Sequence, residues 1–177
     1  EAAEGHLYAV LDAARSPRVL ELLKESADDH QSLFDGLAGD QLWRVAPYLV
    51  KLAPASSPLL SRLVAEGWGR SFGIYVASAA PFRDVRRHLR RHLRVDDPDN
   101  KPMYFRFYDP RVLRRFLPMA SPRQVQELFA DVLSAQADAA QDSPLLHAPV
   151  DVFIATYNEP ASVLERTIVG AMNIDHP

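Results

Sequence analysis

The densest charge in the chain lies in "RDVRRHLRRHLR", where Arg83, Arg86, Arg87, Arg90, Arg91 and Arg94 crowd one stretch and Arg114 and Arg115 add to it later. A guanidinium stays charged and presents a planar fork of donors that fits carboxylates and phosphates. The chemistry on offer is therefore a grip on an anion: an acidic protein patch, a phosphate or a nucleic acid. The alternative is a solvated helix face whose arginine stems cover apolar surface. Aromatic residues of the kind that stack bases do not interleave this stretch, which favours an acidic protein over nucleic acid.

His88 and His92 stand four apart and share a helix face. Such a pair can hold zinc when a third ligand joins and a glutamate lies between. Here Leu89, Arg90 and Arg91 lie between, and their charge opposes a metal ion. No metal is expected. Arg106, inside the aromatic run "MYFRFYDPRVL", is the third candidate. It can pair with Asp109 or Asp12 at a sheet edge, either to bind a ligand or to fix a strand–helix corner. The chain holds no Gly-x-Gly-x-x-Gly, no phosphate loop of the Walker kind and no Gly-x-Ser-x-Gly elbow. No catalytic residue is assigned.

The elements that must carry these groups follow from pattern. "HLYAVLDAA" (6–14) reads as a buried strand ending near Asp12, and Ser16-Pro17 then has the chemistry of a helix start. "APYLVKL" (46–52) and "SFGIYVASA" (71–79) read as further strands. Ser57-Pro58 opens a helix that Gly67 and Gly69 end, and Pro81 opens the arginine helix. Residues 103–108 read as a strand with Met103, Phe105 and Phe107 on one face and Tyr104, Arg106 and Tyr108 on the other. Asp109 caps a helix with Pro110 in its first turn, and Ser121-Pro122 starts another. Alternating strands and helices, with near-continuous apolar strands, predict an α/β fold: a mostly parallel sheet, flanking helices, a helical extension and a C-terminal strand–helix appendage. The expected organisation is an α/β domain over 1–140, a linker over 141–149 and a βα segment over 150–177.

Composition bounds the rest. The chain has 177 residues, 47% hydrophobic and 24% charged, with a net charge of −3. That is an ordinary globular balance with no bulk attraction to nucleic acid. The absence of cysteine removes thiol chemistry and fits a reducing compartment. No apolar run approaches the roughly 20 residues of a membrane span, so no membrane insertion is expected. The opening "EAAEGHLYAVLDAARS" has no signal-peptide pattern, and the missing initiator Met suggests a trimmed chain.

Four segments, "YAVLDAA", "APYLVKL", "GWGRSFGIYVASAAPFRDVRRHLRRHLRV" and "MYFRFYDPRVLRRFLP", together resemble the type VI secretion effector adaptor family, the Tap/Tec-type chaperones, over about residues 7–129. The resemblance implies a non-enzymatic cytoplasmic protein. It would hold a toxic effector, help load it on a VgrG-type spike and need no cofactor. On that reading the partner-binding candidates are Arg86, Arg87, Arg90, Arg91 and Arg94, with Tyr104, Arg106 and Tyr108 second.

The tail, "PVDVFIATYNEPASVLERTIVGAMNIDHP", resembles the first strand–helix unit of family 2, cellulose-synthase-like glycosyltransferases. That resemblance implies a uridine contact through Thr156, Tyr157, Asn158 and Glu159. As the alternative reading, the chain would be a fragment of an enzyme using a UDP-sugar with Mg²⁺ or Mn²⁺. The later acidic metal-binding and catalytic-base motifs are not in this sequence, and one βα unit cannot position donor, ion and base together.

Overall fold

A computed structural model describes residues 6–36, 41–53, 57–96 and 99–129. Four strands form the main sheet: β1 (His6–Asp12), β2 (His30–Ser32), β3 (Pro47–Leu52) and β4 (Gly73–Ser78). Helix α1 (Pro17–Glu25) follows β1, and α2 (Pro58–Gly67) joins β3 to β4. Then come α3 (Phe82–Arg91), a two-stranded ribbon of β5 (Arg94–Asp96) and β6 (Pro102–Tyr104), α4 (Pro110–Phe116) and α5 (Pro122–Phe129).

Three of the helix starts obey one local rule. Ser16, Ser57 and Asp109 each accept a backbone N–H from the first turn, at 3.2, 3.1 and 3.0 Å, and each is followed by proline. The side chain satisfies an orphan amide, and proline gives up an N–H that had no partner there.

The sheet corrects the expectation of a mostly parallel arrangement. Its order is β2-β3-β1-β4 and every pairing is antiparallel. Strand–helix alternation does return the chain to the same end of the sheet, so β1 and β2 run in one direction and β3 and β4 in the other. Neither like-directed pair is adjacent, however. Strand β3 lies between β1 and β2, and β1 lies between β3 and β4. These are two interleaved split βαβ units, the ferredoxin-like arrangement. Apolar strands signalled cover on both faces correctly, but cover does not require parallel neighbours.

Each face has its own core. Leu7, Ala9 and Leu11 of β1 pack with Val19, Leu22 and Leu23 of α1 and Leu59 and Leu63 of α2. Tyr8 and Val10 face the other way, onto Val85 and Leu89 of α3, Phe107, Leu113 and Leu128. The period of two in β1 thus feeds both layers.

The run 103–108 is also corrected. Only Pro102–Tyr104 is strand, and it is an exposed member of the ribbon. Phe107 and Tyr108 are both buried, at 0% and 4% exposure. Adjacent residues of a strand face opposite sides, so consecutive burial on one core needs a turn. That turn closes where the Asp109 N–H donates to the Arg106 carbonyl at 3.0 Å.

Candidate functional site

Helix α3 sorts its arginines by direction. Val85, His88 and Leu89 are buried and fix the inward face. Arg86 and Arg90 lean to one flank and are half-buried. Both Nε and Nη2 of Arg86 donate to the Ser32 carbonyl, at 2.9 and 2.7 Å. Arg90 donates from Nε to the Leu33 carbonyl at 3.1 Å and pairs through Nη2 with Asp35 at 2.7 Å. Burial, then the like charge of Arg90, pulls the Arg86 guanidinium below its usual value. These two side chains therefore hold the segment that leaves β2.

Arg83, Arg87, Arg91 and Arg94 are exposed. Arg87 makes a local pair with Asp84 at 2.8 Å. Arg94 lies over the Tyr104 ring, 5.6 Å from its centroid, with Nη2 3.4 Å from the hydroxyl. The Tyr104 ring in turn meets Phe34 at 5.9 Å. Phe34 belongs to the segment that Arg86 and Arg90 hold. The inner arginines thus support the loop on which the outer Arg94–Tyr104 stack rests. Tyr104 is 54% and Met103 51% exposed, so the ribbon presents aromatic and apolar surface beside cations. Such a surface suits an acidic, partly apolar polypeptide.

Arg106 lies at a separate corner. Its Nη2 is 2.5 Å from Oδ2 of Asp12 and 3.9 Å from Oδ2 of Asp109. Asp12 is wholly buried, and its Oδ1 accepts the Ala14 N–H at 3.0 Å. Asp109 is also gripped by Arg111, at 2.9 Å from Nε and 2.6 Å from Nη2. Burial pushes the Asp109 carboxyl up, but its bonds to Arg111 outweigh this and hold it below the usual range. Tyr108, below the Arg106 guanidinium, is pushed up to about 12 by burial and stays protonated. This cluster locks the end of β1 to the start of α4. It is a structural corner, and Tyr108 is a core residue with little surface to offer.

His88 and His92 do share a face, with ring centroids 4.6 Å apart. Nε2 of His88 contacts the Leu128 carbonyl at 2.7 Å, which ties α3 to α5. Among the described residues no group of three or more potential ligands could hold a metal ion. Thr156, Tyr157, Asn158 and Glu159, with the whole segment 150–177 and the linker 141–149, lie outside the described residues.

One linkage escaped the sequence reading. Arg18 of α1 binds Glu66 of α2 through Nε at 2.6 Å and Nη2 at 3.0 Å, and Arg62 adds Glu25 at 2.5 Å. Nothing in the spacing of residues 48 apart announces such a pair. The split between inner and outer arginines did have a signal. Val85 and Leu89 mark the buried direction, which places Arg86 and Arg90 on one flank.

Among the described residues no helix is long and apolar enough to cross a membrane. No curated protein and no solved structure matches the chain. A family model described as a domain of unknown function, DUF4123, matches residues 7–127, which takes in the sheet, the arginine helix, the ribbon and the Arg106 corner. The match spans more than half of the sequence, and the chain belongs to that DUF4123 family.

Proposed function

We propose that this chain is a type VI secretion effector adaptor, a cytoplasmic chaperone that binds a toxic effector and helps load it on a VgrG-type spike. It acts by binding, without covalent chemistry or a cofactor. The observation that carries this reading is the outward set Arg87, Arg91 and Arg94 with Tyr104, in a chain of the DUF4123 family. Exposed arginine and tyrosine beside apolar surface are the residue types that dominate binding energy in protein interfaces. Arg83 extends the same exposed row. Arg86 and Arg90 serve the site indirectly, because they hold the Ser32 and Leu33 carbonyls, and Arg106 belongs to the structural corner with Asp12.

Co-expression with a type VI effector and spike from the same bacterium tests the reading. A ternary complex that survives purification, and that the chain must be present to form, is the expected result. An effector that reaches the spike equally well without this chain would overturn it.

A further inference from the structure

We infer that the turn at residues 42–45 is a second docking surface and that its partner is an acidic polypeptide segment carrying an apolar anchor. Leu42, Trp43 and Val45 are exposed at 41%, 36% and 46%, three large apolar side chains within four residues. Ala46 and Pro47, which lead into β3, are buried. The exposure is therefore a feature of the turn and not of a loosely packed strand. Apolar side chains scattered singly on a surface need no explanation, whereas a contiguous group marks a contact. Tryptophan is among the residue types that dominate interface energy.

The backbone of the turn is held in place. The Tyr48 hydroxyl donates to the Trp43 carbonyl at 2.9 Å, and the Val45 N–H donates to the Leu42 carbonyl at 2.9 Å. Tyr48 itself packs on the core beside α1. A surface ordered before binding loses little freedom when a partner arrives. The turn borders α1 through Lys24, whereas the exposed arginine row belongs to α3 on the other face of the sheet. One chain can thus hold two polypeptides at once.

Charge selects the partner. Nζ of Lys24 lies 5.4 Å from the Trp43 ring centroid, and the Arg44 guanidinium lies 5.1 Å from it. Among the described residues neither cation pairs with a carboxylate. The nearby carboxylates of α1 are already taken: Glu21 by Arg18, and Glu25 by Arg18 and Arg62. Two cations beside an exposed indole therefore have charge to spare, and aspartate or glutamate flanking an apolar side chain supplies the complement. Glu21 and Glu25 are themselves exposed on the helix that carries Lys24. A bilayer or a nucleic acid spreads negative charge over all of these groups and is repelled by the two glutamates. A narrow segment places its few carboxylates only where the cations are.

Fluorescence anisotropy with a labelled peptide, Gly-Asp-Glu-Leu-Phe-Asp-Glu-Gly, tests this. The assay uses the full chain with Arg87→Glu, Arg91→Glu and Arg94→Glu, so α3 cannot supply the binding and the outcome is independent of the role proposed for that helix. Saturable binding with a Kd below about 1 mM is expected. Trp43→Ala, and separately Lys24→Glu with Arg44→Glu, should weaken it at least about tenfold with unchanged circular dichroism. Replacing the acids of the peptide by Asn and Gln should do the same. Absence of saturable binding overturns the inference, as does binding that survives both sets of substitutions. Sedimentation with phosphatidylglycerol vesicles that Trp43→Ala abolishes, without peptide binding, assigns the turn to a membrane and equally overturns it. If Trp43→Ala loses its fold, the substitutions at the exposed Lys24 and Arg44 decide.

Discussion

Arg106 donates from Nη2 to the Asp12 carboxylate at 2.5 Å, joining residues 94 apart in sequence. The partners are unequally placed: the Asp12 side chain is 0% exposed, whereas that of Arg106 is 41% exposed. Removing the arginine strands a buried carboxylate, while removing the aspartate leaves a cation that water can reach. Arg106→Ala should cost about 3 kcal/mol of stability, and Asp12→Ala less. Urea unfolding of the two variants checks the order. An Arg106→Ala cost no larger than that of the exposed Arg123→Ala would contradict it.

The arginines of α3 should separate by the same measurement. Arg86→Ala deletes two charge-assisted bonds to the Ser32 carbonyl and should destabilise by about 2 kcal/mol. Arg83→Ala and Arg91→Ala, on the exposed row, should stay within about 0.5 kcal/mol. Equal effects from both rows would remove the distinction between supporting and presenting side chains.

Acid should weaken the contact between α1 and α2. Bonding to Arg18 holds the Glu66 carboxyl down to about 2, and Arg62 holds Glu25 below its ordinary value. Carboxyls depressed by folding contribute stability that is fully present above their unfolded values, near 4.5, and is lost as pH falls toward the folded ones. Asp109 adds to the loss below its ordinary value of 3.8. The urea midpoint should therefore fall as pH drops from 5 to about 2. An Arg18→Ala, Arg62→Ala double variant should show a shallower fall. Identical pH profiles would show that this network contributes nothing.

Gly73 should tolerate no side chain. A Cβ there would collide with the Val10 carbonyl oxygen and the Leu11 Cα, both backbone atoms of the neighbouring strand. Gly73→Ala should cost about 3 kcal/mol, since the clash can be relieved only by moving β1 or β4. Gly36→Ala is the control, because nothing lies within 4 Å of its Cβ position and only its φ of 57° opposes the change.

Much of this was legible locally. Ser16-Pro17, Ser57-Pro58 and Asp109-Pro110 marked helix starts because capping and first-turn proline act within a few residues. Strands β1, β3 and β4 were legible from their apolar runs. Their neighbours were not, because apolar content reports cover on two faces and says nothing of which strand inserts between two others. The segment after Tyr104 misled for a related reason. Aromatic residues at 105, 107 and 108 fit a strand by propensity, but they serve one core from a turn. Arg106 was visible as an oddity among aromatics, with Asp12 and Asp109 as candidate partners. The supporting role of Arg86 and Arg90 depends on a loop more than 50 residues earlier, beyond any local pattern.

On the proposed function, the exposed arginine row meets an effector while the half-buried Arg86 and Arg90 hold the scaffold. Calorimetric titration of the effector into the chain tests it most directly, with Arg87→Glu, Arg91→Glu and Arg94→Glu combined in one variant. An unchanged melting temperature and an affinity lower by at least about 100-fold are expected, since each reversed contact in a desolvated interface costs kilocalories. An affinity equal to that of the wild type would contradict it.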